Sequence, residues 1–333
     1  MFKKISVLLT IIVLVILVSS VYGIAAQKTY TIKVSNVVSE AQSSYIASNE
    51  VFKPYVEEKS GGRIKVELYP NAQLGGDRQC YESVQLGTIE MHIGATAVLS
   101  GFVPEVLVFG LPYLFKSKEV AYKALDGELG EIINNKLLTL GLKNLGYMEN
   151  GYRHITNNRG PICEPNDLKG LKIRTMENPV HMAIFKALGA NPTPISFGEL
   201  YTALQQGTVD AQENPIPLVY TSKFYEVQKY YTLDGHVYAS ASMVINKDFF
   251  NSLPKDLQEI VATGAKKAKD FQRDLADKQD EDMLKLLKGK GMIINELTPE
   301  QKQKFVDATL SVYDKFKDAI GEDLIEIAKK ANE

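Results

Sequence analysis

The sequence predicts an α/β fold of two lobes, each a mixed sheet flanked by helices, with a long helix bridging the lobes. Stretches with strand-like alternation and stretches with helical periodicity follow one another along the chain, and this succession restarts after residue 150. A helical pattern near the C-terminus is longer than most globular helices. A chain of 333 residues can bury a core in each of two lobes.

The first lobe is expected to begin with a strand–helix–strand unit. Residues 29–35 (TYTIKVS) alternate polar and apolar side chains, as a half-buried strand does. A helical stretch over residues 44–60 stops at Gly61 and Gly62, and residues 63–69 alternate again. Two strands joined by a helix in this way are expected to lie parallel in one sheet.

A second helix and a third strand follow in the first lobe. Residues 77–86 have helical spacing that ends at Gly87, and residues 90–96 have the composition of a strand. The succession predicts a sheet whose strands are covered by helices.

The second lobe is expected to repeat this build. Residues 171–174 form a short strand, and the helix after it ends at Gly189. One face of that helix is apolar and comprises Val180, Ile184, Phe185 and Leu188.

Two capping boxes are predicted at later helix starts. Ser196 with Glu199 would satisfy free backbone N–H groups at the start of a helix that Gly207 closes. Thr298 with Gln301 would do the same for a helix near the C-terminus.

The longest helical pattern runs from residue 254 to residue 288 and is polar on much of its surface, so we expect it to brace the two lobes. Lobe I is expected to comprise residues 27–150, with residues 240–279 returning to it. Lobe II is expected to comprise residues 151–239, with residues 280–333 returning to it.

The N-terminus has the features of a secretory signal. Lys3 and Lys4 precede an unbroken apolar run over residues 5–18, and small residues follow. Residues 1–26 are therefore expected to be a signal peptide, and the protein to be periplasmic or otherwise extracytoplasmic. Retention of the segment as a membrane anchor is the alternative.

The two cysteines give no disulfide framework. Cys80 lies in a predicted helix and Cys163 in a loop of another part of the chain, so we expect two unpaired, partly buried thiols, with a bridge as the alternative.

Composition and motifs exclude several classes of function. The 38 basic and 40 acidic side chains give a formal net charge of -2 and no basic stripe, so nucleic acid is not an expected partner. The four histidines are scattered and lack the spacing of a zinc hydrolase helix. Motifs of hydrolases, nucleotide-binding loops and dinucleotide-binding turns are missing, so we expect no metal and no cofactor.

Two arginines remain as candidate ligand-binding groups. Arg174 lies at the C-terminal end of a predicted strand, where open α/β sheets have their ligand crevice, and Arg153 lies at the predicted start of the second lobe's first strand. A guanidinium group can hold a carboxylate through two parallel hydrogen bonds. The alternative is that each arginine pairs with an acidic residue at the surface.

Long stretches of the chain resemble the solute-binding proteins of TRAP transporters, of the DctP type. The longest is LKGLKIRTMENPVHMAIFKALGANPTPISFGELYTALQQGTVDAQENP, over residues 168–215; others are ELYPNAQLGGDRQ, PYLF, NGYRHITNNRGPI and KFYEVQKYYTLDGHVY. The resemblance covers essentially all of the chain after the signal. It implies a two-lobed periplasmic-binding-protein fold that closes around a small organic acid and delivers it to an ion-gradient-driven permease of membrane subunits. It also implies that the protein is not an enzyme. A monomer is the expectation for such a receptor.

The resemblance also implies the ligand-binding residues. Arg174, in the K-I-R that follows L-K-G-L, matches an arginine that clamps the ligand carboxylate, and Arg153, in N-G-Y-R, matches a second arginine of the site. Asn214 matches an asparagine that reaches the ligand, and Phe197 matches an apolar or aromatic wall. From the residues alone, the better interpretation of Asn214 is a turn residue before a proline, and that of Phe197 is a core residue.

Three further positions are weaker transfers. Asn36 and Asp77 match positions that face the cleft in some members of the family. Glu177 falls where members contact the rest of the ligand, and its carboxylate could accept hydrogen bonds from a hydroxyl or ammonium group. The alternative is that Glu177 caps the helix that begins near residue 179.

The ligand class stays open between C4-dicarboxylates and sugar or hydroxy acids. A dicarboxylate needs a second cation, which Arg153 could supply, whereas Ala95 stands where a sialate-binding relative carries an acidic residue, which disfavours sialate. A ligand-binding sensor or surface protein coupled to a membrane partner is the second functional hypothesis. An enzyme on the same two-lobed scaffold is the third.

Overall fold

The structure, a computed structural model, describes residues 28–333. It contains a two-lobed α/β fold with one mixed sheet of nine strands running through both halves, in the order β2-β1-β3-β8-β4-β7-β5-β6, with β9 paired to β8. The fold class predicted from the sequence is confirmed. The predicted signal peptide, residues 1–26, lies outside the described residues.

The first half of the sheet contains the predicted strand–helix–strand unit. Strand β1 (Tyr30–Asn36) pairs in parallel with β2 (Ile64–Tyr69) and with β3 (Met91–Ala95). Three helical segments connect these strands: α1 (Ser43–Ala47), which continues through a π-helical turn (Ser48–Phe52) into α2 (Lys53–Lys59), and then α3 (Asp77–Leu86). Helix α3 has the predicted bounds, because Gly87 takes a left-handed conformation with a φ of 76° and ends it.

Two long antiparallel strands connect the halves. Strand β4 (Leu142–Asn157) and strand β8 (Tyr230–Asn246) pair with each other along most of their length. Their pairing is interrupted by register shifts on either side of Gly151. The expectation that a new strand begins after residue 150, with Arg153 near its start, is wrong, because β4 passes through this point without ending.

The second half of the sheet lies beyond β4 and β8. Strand β5 (Lys172–Thr175) pairs in parallel with β6 and with β7, and β7 is antiparallel to β4. The remaining strands of this half are β6 (Asn191–Pro194), β7 (Ala211–Asn214) and β9 (Ile293–Glu296).

Helices cover both faces of the sheet. The helices after α3 are α4 (Lys118–Leu125), α5 (Glu128–Thr139), α6 (Pro179–Ala187), α7 (Phe197–Gln205), α8 (Ile216–Thr221), α9 (Lys247–Ser252), α10 (Lys255–Gly289), α11 (Pro299–Thr309), α12 (Ser311–Ile320) and α13 (Glu322–Lys330). Short helices of the tighter 3₁₀ type lie at Thr96–Gly101, Pro104–Gly110, Pro165–Leu168 and Phe224–Glu226.

The long helix α10 packs against elements of both halves. It contacts α1, α2 and β4, and also α8 of the second half. Gln272 fixes it to β4: the side-chain amide of Gln272 donates to the carbonyl oxygen of Glu149 (2.9 Å) and accepts from its N–H (2.8 Å). The predicted helix over residues 254–288 is confirmed with bounds shifted by one residue.

The two predicted capping boxes have different outcomes. At α11, Gln301 N donates to Thr298 Oγ1 (3.2 Å) and Thr298 N donates to Gln301 Oε1 (2.9 Å), as predicted. At α7, the Ser196 side chain makes no capping hydrogen bond. The prediction at Ser196 is wrong because its hydroxyl faces the other half of the molecule, where a Cβ added to Gly76 would lie 2.5 Å from Ser196 Oγ.

The C-terminal helices pack on both halves of the fold. Helix α12 contacts α6 and the turn at Pro104–Gly110, and α13 contacts that turn and α5. The assignment of residues 280–333 to lobe II stays a prediction.

Both cysteines are free thiols, Cys80 buried and Cys163 partly buried, as expected. Within residues 28–333, no helix combines the length and the apolar character needed to cross a membrane.

Candidate functional site

One cavity lies where the two halves of the molecule face each other, with an empty volume of about 660 Å³ between its lining atoms. It forms at the carboxyl ends of parallel strands: β1 ends at Asn36, β3 at Ala95 and β7 at Asn214, and all three residues line it. Open α/β sheets bind ligands at this edge.

All seven residues predicted to bind ligand line this one cavity. They are Asn36, Asp77, Arg153, Arg174, Glu177, Phe197 and Asn214. Ala95 lines it as well. Their contact with a ligand stays a prediction.

Arg174 is a buried cation without an acidic partner. It is the third residue of β5 and is 2% exposed. Its Nε donates to the carbonyl oxygen of Ile195 (2.8 Å), whereas its Nη1 is buried without a partner, and no salt bridge to it is present among residues 28–333. Burial lowers the pKa of Arg174 to about 10, so it remains charged at neutral pH. The surface ion pair considered as the alternative role of Arg174 is absent.

Arg153 is fully buried in the middle of β4 and already has an acidic partner. Its Nε and Nη2 donate to the carboxylate of Glu213, with Nη2 2.9 Å from Glu213 Oε1, and Nη2 also donates to Asn214 Oδ1 (3.0 Å). Its Nη1 is buried without a partner. The pair is internal and not at the surface, so Arg153 adds little net positive charge to the cavity.

The ion pair of Arg153 and Glu213 belongs to a larger buried network that includes His236 and Asp234. His236 Nε2 lies 3.2 Å from Glu213 Oε2, and His236 Nδ1 lies 2.8 Å from Asp234 Oδ2, with all three side chains buried. Burial alone would lower the pKa of His236, but Asp234 and Glu213 raise it to about 9. Burial would raise the pKa of Glu213, but Arg153 and His236 hold it below its usual range. At neutral pH the histidine is therefore an imidazolium that donates to both carboxylates.

Asn214, the last residue of β7, is held by protein partners. Its Oδ1 accepts from Arg153 and its Nδ2 donates to Gln212 Oε1. A second N–H of the same amide remains available to a ligand.

The first half contributes Asn36 and Asp77 to the wall. Asn36 Oδ1 accepts from Val38 N (3.1 Å) and Asn36 Nδ2 donates to Ser44 Oγ (3.2 Å). Asp77, the first residue of α3, lies 2.9 Å from Nε2 of the buried His92. Burial would lower the pKa of His92, but the hydrogen bond with Asp77 raises it to about 9, so the two form an ion pair at neutral pH.

Phe197 and Glu177 complete the predicted set. Phe197 is half-buried at the start of α7, with its ring 6.0 Å from that of Phe224 in an edge-to-face arrangement. Glu177 is exposed at the rim. It does not cap α6, because the side chain of Asn178 accepts from the N–H groups of Val180 and His181 at that helix start. The alternative role for Glu177 is therefore wrong.

Sequence reasoning missed several polar lining residues. They are Gln42, Ser44, Glu149, Asn150 and Ser196, the last considered only as a cap. Glu149 is 4% exposed, and its Oε2 is buried without a hydrogen-bond partner. Burial, reinforced by the charge of Asp280, raises the pKa of Glu149 to about 8, so its carboxyl group is mostly protonated at neutral pH. The sequence signal that could have identified Glu149 is its position directly before the NGYR stretch.

The cavity offers hydrogen-bonding groups and one unpaired cation but no metal centre. Residues 28–333 contain no group of three or more His, Cys, Asp or Glu side chains that could hold a metal ion. The arrangement can bind an anion and hydrogen-bond its polar substituents.

Comparison with known proteins gives a consistent result. Residues 34–319 match the family model DctP, described as bacterial extracellular solute-binding protein, family 7. The chain is 36% identical over 291 residues to the 2,3-diketo-L-gulonate-binding periplasmic protein YiaO of Escherichia coli, covering 86% of this chain and 88% of that protein.

Solved structures are similar over nearly their whole length. A TRAP periplasmic solute binding protein from Sulfurospirillum deleyianum, with bound succinate, is 38% identical with a TM-score of 0.88, covering 91% of this chain and 99% of that one. The sugar acid binding protein DctPAm from Advenella mimigardefordensis, in complex with galactonate, is 37% identical with the same TM-score and the same coverage.

Proposed function

Since this chain belongs to the DctP family of bacterial extracellular solute-binding proteins, we propose that it binds a small carboxylate through Arg174 and delivers it to the membrane subunits of a TRAP permease. The protein is a TRAP-type solute-binding protein and not an enzyme. Its similarity to proteins solved with succinate and with galactonate supports an organic acid as the ligand.

The observation that carries this proposal is the charge state of Arg174. A guanidinium that is 2% exposed and lacks a carboxylate partner is costly to bury, and it lines the cavity between the halves. A bound carboxylate would supply the missing counter-charge through two charge-assisted hydrogen bonds. Removal of water as the halves close around the ligand would strengthen this pair.

Family membership supports delivery to a permease, which would require a form that the membrane subunits can recognise. A carboxylate that contacts both halves would favour the closed form over the open one, because only the closed form offers all of its contacts. We further propose that the protein is exported by its first 26 residues and acts as a monomer.

The test is a titration of the purified protein by isothermal calorimetry, after unfolding and refolding to remove carried-over ligand. The titrants are organic acids, among them succinate and galactonate. At least one of them is expected to bind. Arg174→Ala is expected to weaken that binding at least 100-fold, about 3 kcal/mol, because the variant leaves a carboxylate without its counter-charge.

The matched control is Arg159→Ala, since Arg159 is exposed and lies outside the cavity. It should leave the affinity unchanged. Undiminished affinity in Arg174→Ala, with its melting temperature equal to that of the parent, would refute the proposed role of Arg174.

A further inference from the structure

The charges that face the cavity are unevenly placed. Among the lining residues, Arg174 is a cation without an acidic partner in the part of the chain that the structure describes, and Arg153 is neutralised by Glu213. No lysine lines the cavity as the structure describes it. The site therefore has one uncompensated positive charge, which is enough for one ligand carboxylate.

The remaining wall is acidic or neutral. Asp77 is paired with His92 and contributes no net charge, whereas Glu177 lies at the rim without a salt bridge in the described chain. A second ligand carboxylate on this side would meet negative charge without a counter-cation. The cost of burying that carboxylate without a counter-cation would oppose its binding, and the exposed Glu177 would add a weaker repulsion.

The same wall is rich in groups that bind hydroxyls. Asn36, Gln42, Ser44 and Asn150 line it together with the buried Glu149. Amide and hydroxyl side chains both donate and accept hydrogen bonds, and so does a protonated carboxyl group. Glu149 Oε2 has no hydrogen-bond partner among residues 28–333, and a buried polar atom in this state is expected to have one when the site is filled.

Glu149 is held in a fixed position. Its backbone N–H and carbonyl group are both hydrogen-bonded to the side chain of Gln272 on α10. The backbone of Glu149 is therefore rigid where this residue lines the cavity, which favours a selective hydrogen bond over an adaptable one.

From these contacts we infer that the ligand is a monocarboxylate with several hydroxyl groups, and that Glu149 and Glu177 select it against dicarboxylates and against acids without hydroxyl groups. This inference rests on the proposed function, because it takes Arg174 as the partner of the single carboxylate. Glu149 would act as a hydrogen-bond partner of a ligand hydroxyl, and Glu177 as a negative charge at the rim.

The test uses two properties of the ligand, the number of carboxylates and the presence of hydroxyls, at two chain lengths. The titrants of six carbons are galactonate, galactarate, adipate and hexanoate; those of four carbons are erythronate, tartrate, succinate and butyrate. Galactonate or erythronate is expected to bind at least tenfold more tightly than the other three acids of its length. Equal or tighter binding of a dicarboxylate or of an unsubstituted acid would overturn the inference.

Failure of the inference is distinguishable from failure of the proposed function. If succinate or adipate binds best and Arg174→Ala abolishes that binding, the arginine clamp stands and the ligand class is wrong. If none of the eight acids binds, both proposals are overturned.

Two variants test the selecting residues. Glu149→Leu is expected to lose at least tenfold more galactonate affinity than Glu149→Gln, because glutamine keeps a donor and an acceptor, while hexanoate binding should not distinguish the two variants. Glu177→Gln, at an exposed site where folding is not at risk, is expected to raise the affinity for galactarate relative to galactonate several-fold. The exposed Glu131→Gln serves as the control. Unchanged ligand preference in both Glu149→Leu and Glu177→Gln would overturn the assigned selectivity.

Discussion

Arg153 and Arg174 are the same residue type in one cavity, but their neighbours give them different chemical roles. Arg153 completes an internal ion pair with Glu213, while Arg174 donates to a single backbone carbonyl and keeps its charge unmatched. The composition of the cavity therefore says less about its ligand than the pairing within it. A site with two arginines has here the net charge of one.

The buried His236 shows how such pairing depends on protonation. Between Glu213 and Asp234 it is charged at neutral pH, although burial alone would keep it neutral. Its pKa is raised from the usual 6.5 to about 9, so the native state binds its proton more tightly than the unfolded chain does. The stabilisation is present in full below about pH 6.5 and is lost as the pH rises through about 9.

We expect deprotonation of His236 to lower the free energy of unfolding by on the order of 3 kcal/mol as the pH rises from 6.5 to 10. Urea denaturation across that range measures the fall, and His236→Gln should make it smaller. The control is His154→Gln, because burial lowers the pKa of His154 to about 4 and it does not titrate there. A pH dependence in His236→Gln equal to that of the parent would contradict the charged state of His236.

At the scale of elements, sequence periodicity predicted the regular pieces and missed the connecting strands. Strand β1 and helices α3 and α10 lie within one residue of their predicted bounds. Strand β8 was missed because it is buried on both faces and its interior includes polar residues such as Asp234 and His236. Those side chains are typical of a loop until their partners on other strands are known.

Helix α10 depends on a glycine at its closest approach to another element. A Cβ added to Gly264 would lie 2.9 Å from Val56 Cγ2 and 3.2 Å from Tyr55 Cδ1 on α2. Val56 is fully buried, so it has little room to move. The absence of a side chain at this position allows the long helix to pack on the first half.

Gly264→Ala is expected to lower the free energy of unfolding by about 1–3 kcal/mol, since the overpacking outweighs the gain of about 1 kcal/mol in helix propensity. Urea denaturation measures the change. Gly289→Ala, at the end of the same helix with no atom within 4 Å of the added methyl, is the control and should not destabilise. A Gly264→Ala protein as stable as the parent would show that α2 moves to accommodate the added methyl group without loss of stability.

At the scale of the whole molecule, the site combines residues that the sequence could predict with residues that it could not. The seven predicted residues surround one cavity, and they could be predicted because the family resemblance identified their positions in the chain. The partners that set their charge were not predictable, since Glu213 lies 60 residues from Arg153 in sequence. Pairing over such distances is a property of the fold and leaves no local pattern.

The two halves touch directly across the cavity mouth, which places the molecule in a closed arrangement. Gly76 of the first half approaches Ser196 of the second, and Ala72 Cβ would lie 3.4 Å from a Cβ added to Gly198. Gly76 has a φ of -73°, which alanine adopts without strain, so a methyl group there acts on the contact between the halves and not on the backbone.

Gly76→Ala is therefore expected to displace the Ser196 hydroxyl when the halves close and to weaken carboxylate binding by up to about tenfold. Calorimetric titration measures the affinity, and the unfolding of the ligand-free protein should be unchanged. Gly160→Ala, where the added methyl meets no atom within 4 Å, is the matched control. Parental affinity in Gly76→Ala would mean that the halves need not meet at this point to hold the ligand.

The position of β8 in the chain affects when the protein can fold. This strand is central to the sheet and pairs with β3 and β4, yet it is made after both of them and after most of the second half. The first half obtains its full set of strand neighbours only when residue 246 has been synthesised, and the second half only when β9 has been synthesised as well. Pairings between strands so far apart in sequence also form slowly. In a family of extracellular proteins, this late completion leaves the growing chain without its stable core for most of its synthesis.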